Sequence, residues 1–242
     1  MKVLAHRGFW RGNGDQLQVR ENTVDAYLAA RMAGADGVEL DVRRTHDGAL
    51  AVFHDPVVAG VGSITDLCVS DLPRWVPLLG DALEACTGSI VNVEIKVPRY
   101  SRRQSAGELA WTQGPAIATE VVATVAQRGS SQLVLVSSFD LATVDTIKSL
   151  APEITTGLLV GRGARASTGL ALAAEHGHDA LHPRQSLVTR ELVEQAHHLG
   201  LDVVAWTVNS RRKLEQMRDI DVDCVITDAP DTAVDVVRAS PA

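Results

Sequence analysis

Cysteine is sparse in this chain, and its positions exclude more than they suggest. There are three, Cys68, Cys86 and Cys224. They show no zinc-ligand spacing, and an odd, scattered set is no disulfide framework; it reads as reduced thiols in a cytosolic protein. No apolar run is long enough to span a bilayer. Lys2–His6 opens directly as a strand rather than as a signal segment, so the expectation is a cytoplasmic protein with no stable membrane insertion. A basic stripe is also missing. The net charge is −7 with a pI near 5.6, which argues against nucleic acid and anionic membrane surfaces as partners. No Walker sequence, dinucleotide glycine fingerprint, nucleophile elbow or HExxH occurs, and those enzyme classes lose ground. Aromatics make up only 4% of 242 residues. Phe9-Trp10 is the one hint of an apolar, membrane-facing mouth.

What is present is alternation. Short β-rich runs begin at Lys2, Gly37, Ser89, Leu133, Ile154, Ala180, Val203 and Cys224. Helical runs follow them, over Asn22–Gly34, Leu79–Cys86, Ala116–Arg128, Leu141–Leu150, Thr168–His176, Arg190–Leu199, Arg211–Asp219 and Thr232–Arg238. Asn22 reads as the cap of the first helix. An extra strand, Ala49–Phe53, returns beside Gly37–Arg43 after the turn at Asp47-Gly48. Eight strand–helix units in one domain of this length predict an α/β fold, a (β/α)8 TIM barrel with a small extra hairpin strand after strand two. A doubly wound open sheet is the runner-up. The barrel explains why His6, Glu39, Asp41, Glu94, Lys96, Ser137, His182, Trp206 and Asp228 all fall near strand C-termini, the ends that close into one ring. The polar segment Pro98–Pro115 follows strand three and would hang over the mouth as a lid.

Glu39 and Asp41 are two residues apart on a strand, so both carboxylates face one way. Glu94 and Lys96 repeat that spacing on the next barrel strand. A barrel-lining salt-bridge network, with Lys96 and Arg43 neutralising the acids, accounts for one such pair. Three acids beside strand-end histidines favour a hard cation bound by oxygen, Mg²⁺ or Ca²⁺. Arg7, in His6-Arg7-Gly8, presents a rigid fork matched to phosphate. His6 and His54 are poised near neutral pH and can form an acid/base pair. Trp206 reads equally as a core aromatic or as an apolar wall for the carbon part of a substrate, and His182 as a residue of the mouth. The histidine pairs 176/178 and 197/198 sit at helix ends, where solvated or capping roles are common.

His6-Arg7-Gly8, Glu21-Asn22-Thr23, Gly37-Val38-Glu39-Leu40-Asp41-Val42, Thr45-His46-Asp47-Gly48, Val52-Phe53-His54-Asp55 and Glu94-Ile95-Lys96 resemble the glycerophosphodiester phosphodiesterase family. Ser137-Ser138-Phe139, Trp206-Thr207-Val208-Asn209 and Thr227-Asp228-Ala229-Pro230 carry the likeness to the C-terminus. The resemblance implies a TIM barrel that hydrolyses glycerophosphodiesters to an alcohol and sn-glycerol 3-phosphate with one divalent cation. It implies Glu39, Asp41 and Glu94 as metal ligands, His6 and His54 as the acid/base pair, and Arg7 and Lys96 on the phosphate. Two departures stand out. Arg20 occupies the position where the family usually has proline. The segment after His54-Asp55 is short, which implies a more open pocket around the alcohol group. A lysophospholipase D-type activity on the same fold is an alternative reading, and a non-catalytic phosphate-binding barrel a second.

Overall fold

The strands of this protein are short aliphatic runs that bury both faces, as a parallel sheet covered by helices requires. The computed structural model describes residues 1–10, 19–98, 110–129 and 133–239. In chain order the elements are β1 (Lys2–His6), α1 (Val24–Met32), β2 (Gly37–Arg44), β3 (Leu50–Val52), β4 (Val57–Val58), β5 (Gly62–Ser63), α2 (Leu79–Ala85) and β6 (Ile90–Ile95). Then come α3 (Ala110–Arg128), β7 (Val134–Ser138), α4 (Leu141–Leu150), β8 (Thr155–Val160), α5 (Ala166–Glu175), β9 (Ala180–Pro183), α6 (Arg190–His198), β10 (Asp202–Ala205), α7 (Arg211–Asp219), β11 (Cys224–Thr227) and α8 (Pro230–Arg238).

Eight strands pair in parallel in the order β1, β2, β6, β7, β8, β9, β10, β11, and β11 returns to β1. The β1–β2 pairing closes the ring, so the open doubly wound sheet is overturned. β3 lies outside the ring, antiparallel to the far end of β2. Outward-facing residues such as Leu181 pack with Leu170, Ala173 and Val193 from the surrounding helices. Inward-facing Leu4, Ala180, Val204 and Ile226 form an apolar plug at the N-terminal end of the barrel. The opposite end is polar, and that end carries the site.

Three local differences from the sequence reading have physical causes. Helix α1 is capped by Thr23, whose side chain accepts from the Ala26 amide, and not by Asn22. Asn22 sits at φ 56°, and its side chain is used elsewhere. Strand β10 stops at Ala205, and Trp206 joins the sheet only through a single bridge to Arg184. Helix α3 begins at Ala110 and contains Pro115, so the last part of the expected lid is helix; residues 99–109 lie outside the described residues.

The segment between β3 and α2 folds as a small subassembly. The β4–β5 hairpin and two 3-10 turns bury Val58, Ile64 and Val76 against Ala51, with Phe53 and Trp75 alongside. The Arg20 guanidinium lies 4.5 Å over the Trp75 ring, which ties the loop after β1 to this segment. Arg20 is therefore a cation with an aromatic partner. Phe9 packs against the main core rather than facing the mouth.

Candidate active site

Strand register assembles the site. His6 pairs with Glu39 across β1 and β2, and Asp41 pairs with Glu94 across β2 and β6. One oxygen from each of Glu39, Asp41 and Glu94 lies within 4.8 Å of the others. All three residues are buried, Asp41 completely. Neighbouring carboxylates in a dry site repel and lose hydration, so the arrangement demands cations.

The chain supplies part of that demand. Lys96 Nζ lies 3.0 Å from Asp41 Oδ1 and 2.5 Å from Glu94 Oε1. Arg7 Nε is 3.2 Å from Asp41 Oδ2, while its backbone amide donates to Glu39 Oε2 at 3.0 Å. Arg7 takes φ 58°, a left-handed conformation that points its amide and guanidinium into the same site. Its guanidinium also donates to Glu21 Oε1 at 2.8 Å. Asn22 clamps Asp41 from both sides, donating to Oδ2 at 2.8 Å and accepting from the Asp41 amide at 3.3 Å.

These partners divide unequally. Burial acts to raise Asp41, but Lys96 and Arg7 outweigh it and hold Asp41 below the usual carboxylate range. Glu39 has no such pair. Burial and the Asp41 charge push it up to about 8. Glu39 Oε1 is buried with no hydrogen-bond partner among the described residues. Burial raises Glu94 as well, against the opposing Lys96. Three buried oxygen donors, one of them unsatisfied and unable to keep its charge near neutral pH, fit a hard divalent cation.

Two histidines flank the acids. Asp228 Oδ1 accepts from His6 Nδ1 at 2.6 Å, leaving Nε2 on the Glu39 side, 4.0 Å from Oε2. Asn209 in turn donates to Asp228 Oδ2 at 2.7 Å. Burial disfavours the charged His6 ring, but the Asp228 hydrogen bond and the Glu39 charge prevail and raise its pKa. His54 follows β3 directly, and Asp55 Oδ1 accepts from its Nδ1 at 2.8 Å. Burial lowers the His54 pKa, with Asp41 opposing and Arg7 and Lys96 adding to the fall. One ring thus leans toward the charged form and the other toward the neutral one.

The site opens into a cleft of about 770 Å³ lined by His6, Arg7, His54, Glu94, Lys96, Phe139 and Trp206, among others. Trp206 donates through Nε1 to the His182 carbonyl at 2.8 Å and meets Phe139 edge to face, with ring centroids 5.6 Å apart. They give the cleft an apolar wall. His182 is not part of the cleft surface. Its side chain is completely buried in the barrel, in space that Gly157 leaves by lacking a Cβ.

The structure brings His6, Arg7, Glu39, Asp41, His54, Glu94, Lys96 and Trp206 together at one mouth and leaves His182 beneath it. Sequence reasoning gave no role in the chemistry of the site to Asn22, Asp228, Asn209 or Phe139. Asp228 carried a signal, being a polar residue just past a strand end, whereas Asn22 was masked by its plausible reading as a helix cap. Arg43, two residues beyond Asp41 on the same face, lines the cleft and donates to the His54 carbonyl at 2.8 Å. It steadies His54 more directly than it neutralises the acids.

Comparison with known proteins agrees with this geometry. Residues 6–232 match the "Glycerophosphoryl diester phosphodiesterase family". A glycerophosphodiester phosphodiesterase from Caldanaerobacter subterraneus is 30% identical over 98% of this chain and 97% of its own length. One from Bacillus altitudinis is 30% identical over 97% of each. Among solved structures, a glycerophosphodiester phosphodiesterase from Thermotoga maritima superposes with a TM-score of 0.74 at 26% identity, covering 98% of this chain and 97% of that one. A phosphodiesterase from Oleispira antarctica, in complex with the product sn-glycerol-3-phosphate, shares the fold with a TM-score of 0.81 at 24% identity, covering 99% and 97%. A closed barrel, a family match over residues 6–232, and 30% identity to such relatives over nearly the full length of each chain make this chain a member of the glycerophosphoryl diester phosphodiesterase family.

Proposed function

We propose that this protein hydrolyses glycerophosphodiesters to an alcohol and sn-glycerol 3-phosphate, with one divalent cation, Mg²⁺ or Ca²⁺, held by Glu39, Asp41 and Glu94. The observation that carries the reading is the three-carboxylate cluster, with its unsatisfied Glu39 oxygen, set between two cations and two histidines at the mouth. When bound, the cation supplies charge stabilisation for a phosphoryl oxygen as negative charge develops.

The protein's own residues do the rest. Arg7 and Lys96 lie at the rim of the acid cluster and neutralise the remaining phosphate oxygens. Arg7 is already held by Glu21 and Asp41, so little side-chain freedom is lost on binding. One of His6 and His54 takes the proton from the nucleophile, either water or the glycerol hydroxyl beside the phosphate. The other gives a proton to the departing alkoxide. Asp228 and Asp55 fix the two rings through their Nδ1 atoms, so each presents Nε2 for proton transfer. The Phe139–Trp206 wall takes the carbon portion of the substrate and keeps water from that side.

A panel of glycerophosphodiesters and lysophospholipids, assayed after chelation and re-addition of Mg²⁺, Ca²⁺ or Mn²⁺, tests the reading. Metal-dependent release of sn-glycerol 3-phosphate from the glycerophosphodiesters is expected. Turnover confined to lysophospholipids would move the substrate class to the lysophospholipase D type, to which the same aromatic wall is suited. No turnover of either class in any metal would leave a phosphate-binding barrel.

A further inference from the structure

At the opposite end of the barrel, Asp145 of α4 meets the turn between α5 and β9. His176 Nδ1 lies 3.0 and 3.1 Å from the two Asp145 oxygens, and His178 Nε2 lies 3.2 Å from Oδ1. One ligating atom from each of the three residues falls within 4.8 Å of the others. A tetrahedral zinc ion with bonds of ~2.0–2.1 Å holds its ligand atoms about 3.3 Å apart, close to the spacing of the two histidine–aspartate pairs.

The hydrogen bonding around His178 shows what this corner lacks. The Thr156 hydroxyl lies 3.1 Å from both Asp179 Oδ2 and His178 Nδ1; with its proton directed to Asp179, which can only accept, its oxygen is free to accept from His178 Nδ1. In that arrangement Nε2 carries a bare lone pair 3.2 Å from Asp145 Oδ1, which is also an acceptor. The His178 side chain is fully buried, and its Nε2 has no hydrogen-bond partner among the described residues. Lys148, the nearby cation, is engaged by both Asp179 oxygens at 2.7 and 2.9 Å. Two acceptors at this distance are stabilised by a cation shared between them. A hydroxyl that fixes the far ring nitrogen is the arrangement that supports a metal-ligating imidazole.

We propose that Asp145, His176 and His178 form a second metal site for a borderline divalent ion of the Zn²⁺ class, separate from the catalytic carboxylates. Mixed nitrogen and oxygen donors select such an ion over the Mg²⁺ or Ca²⁺ that suits an all-oxygen set. The site lies at the N-terminal face of the barrel and cross-links α4 to the α5–β9 turn. It is a structural clamp, remote from the cleft.

Cobalt provides a visible probe. Metal-free protein in excess Mg²⁺, which occupies the oxygen site, is titrated with Co²⁺ and then with Zn²⁺. Wild type is expected to bind one equivalent of Co²⁺ with the visible bands of a nitrogen-ligated ion, and Zn²⁺ should abolish them. Zinc at a hundred times its Kd should raise the melting temperature by roughly 5–10 °C. Asp145→Asn and His176→Ala, both at partly exposed positions, should lose the bands and the melting shift while turnover in Mg²⁺ stays at the wild-type level. The optical signal does not depend on the catalytic reading. Absence of bands in wild type overturns the site, as does their survival in both variants. Bands that vanish in Glu39→Gln and persist in His176→Ala would place the cobalt among the catalytic carboxylates and also overturn it.

Discussion

At the scale of single residues, His182 shows how burial couples to pH. Neither ring nitrogen has a hydrogen-bond partner among the described residues, and burial pushes its pKa down to about 3 from an ordinary 6.5. In the unfolded chain the ring takes a proton below pH 6.5; in the folded chain it stays neutral until about pH 3. The unfolded state therefore binds more protons across that window, and stability falls as pH drops through it. From pH 7 to pH 5 this residue should cost about 2 kcal/mol. The unfolding free energy of His182→Asn, whatever its absolute value, should change less over that interval by about that amount, as measured by urea titration at both pH values. Equal changes in the two proteins would refute the assignment. In the cleft, His6→Ala and His54→Ala should each lower turnover by roughly 10²–10⁴-fold. Asp228→Asn removes the negative charge that helps raise His6, so the limb of the pH–rate profile that belongs to His6 should move to lower pH. An unmoved limb would mean that Asp228 serves the fold and not the histidine.

At the scale of elements, the loop from β1 to α1 does the most for the site. It carries His6, Arg7, Glu21 and Asn22, and it is held by the Asn22 amide donating to the Arg7 carbonyl at 2.9 Å and the Phe9 amide to the Ala26 carbonyl at 2.8 Å. Gly8 makes this closeness feasible. It has φ 81°, and a Cβ there would lie 2.6–2.8 Å from atoms of Ala26. Gly8→Ala must displace α1 from β1, and should cost roughly 1–3 kcal/mol of stability. It should also lower kcat/KM, because Arg7 and Asn22 move with the loop. Wild-type stability and activity together would show that the contact is slack. The hairpin after β2 has a comparable task. It lengthens β2 past the ring and delivers His54 to the cleft that His6 also lines, from a direction no regular strand–helix unit supplies.

At the scale of the whole molecule, the charges divide between the two ends of a closed ring. The cleft holds three buried acids against Arg7 and Lys96, so removal of divalent metal should abolish turnover, with re-addition restoring it. Full activity in excess chelator would exclude the carboxylate site from catalysis. On the proposed reading the charged groups hold the phosphate end, and the described residues left for the alcohol end are chiefly Phe139, Trp206 and nearby aliphatic groups. Small head groups such as glycerol, ethanolamine and choline should therefore be cleaved with kcat/KM values within roughly tenfold, about 1.4 kcal/mol in transition-state terms. A strong preference for one head group would refute the open pocket. If shortening the segment 98–109 then erased that preference, the segment would be its source. Among the described residues no helix is long and apolar enough to cross a membrane.

The sequence by itself determined the eight strand–helix units, the extra strand and most, though not all, of the residues that meet at the mouth. Strand periodicity puts Glu39 and Asp41 on one face, and strand ends converge in any closed barrel, so local pattern was enough. Tertiary structure alone decided what each polar group touches. Asn22 could cap a helix or clamp Asp41, and only the approach of β2 to the first loop selects the clamp. His182 could line the mouth or lie beneath it, and the missing Cβ of Gly157 on the neighbouring strand gives the ring its buried place. His176 and His178 looked like solvated helix-end residues because Asp145, their partner, belongs to another helix, and that distance closes only when α4 and α5 are both laid against β8 in the barrel.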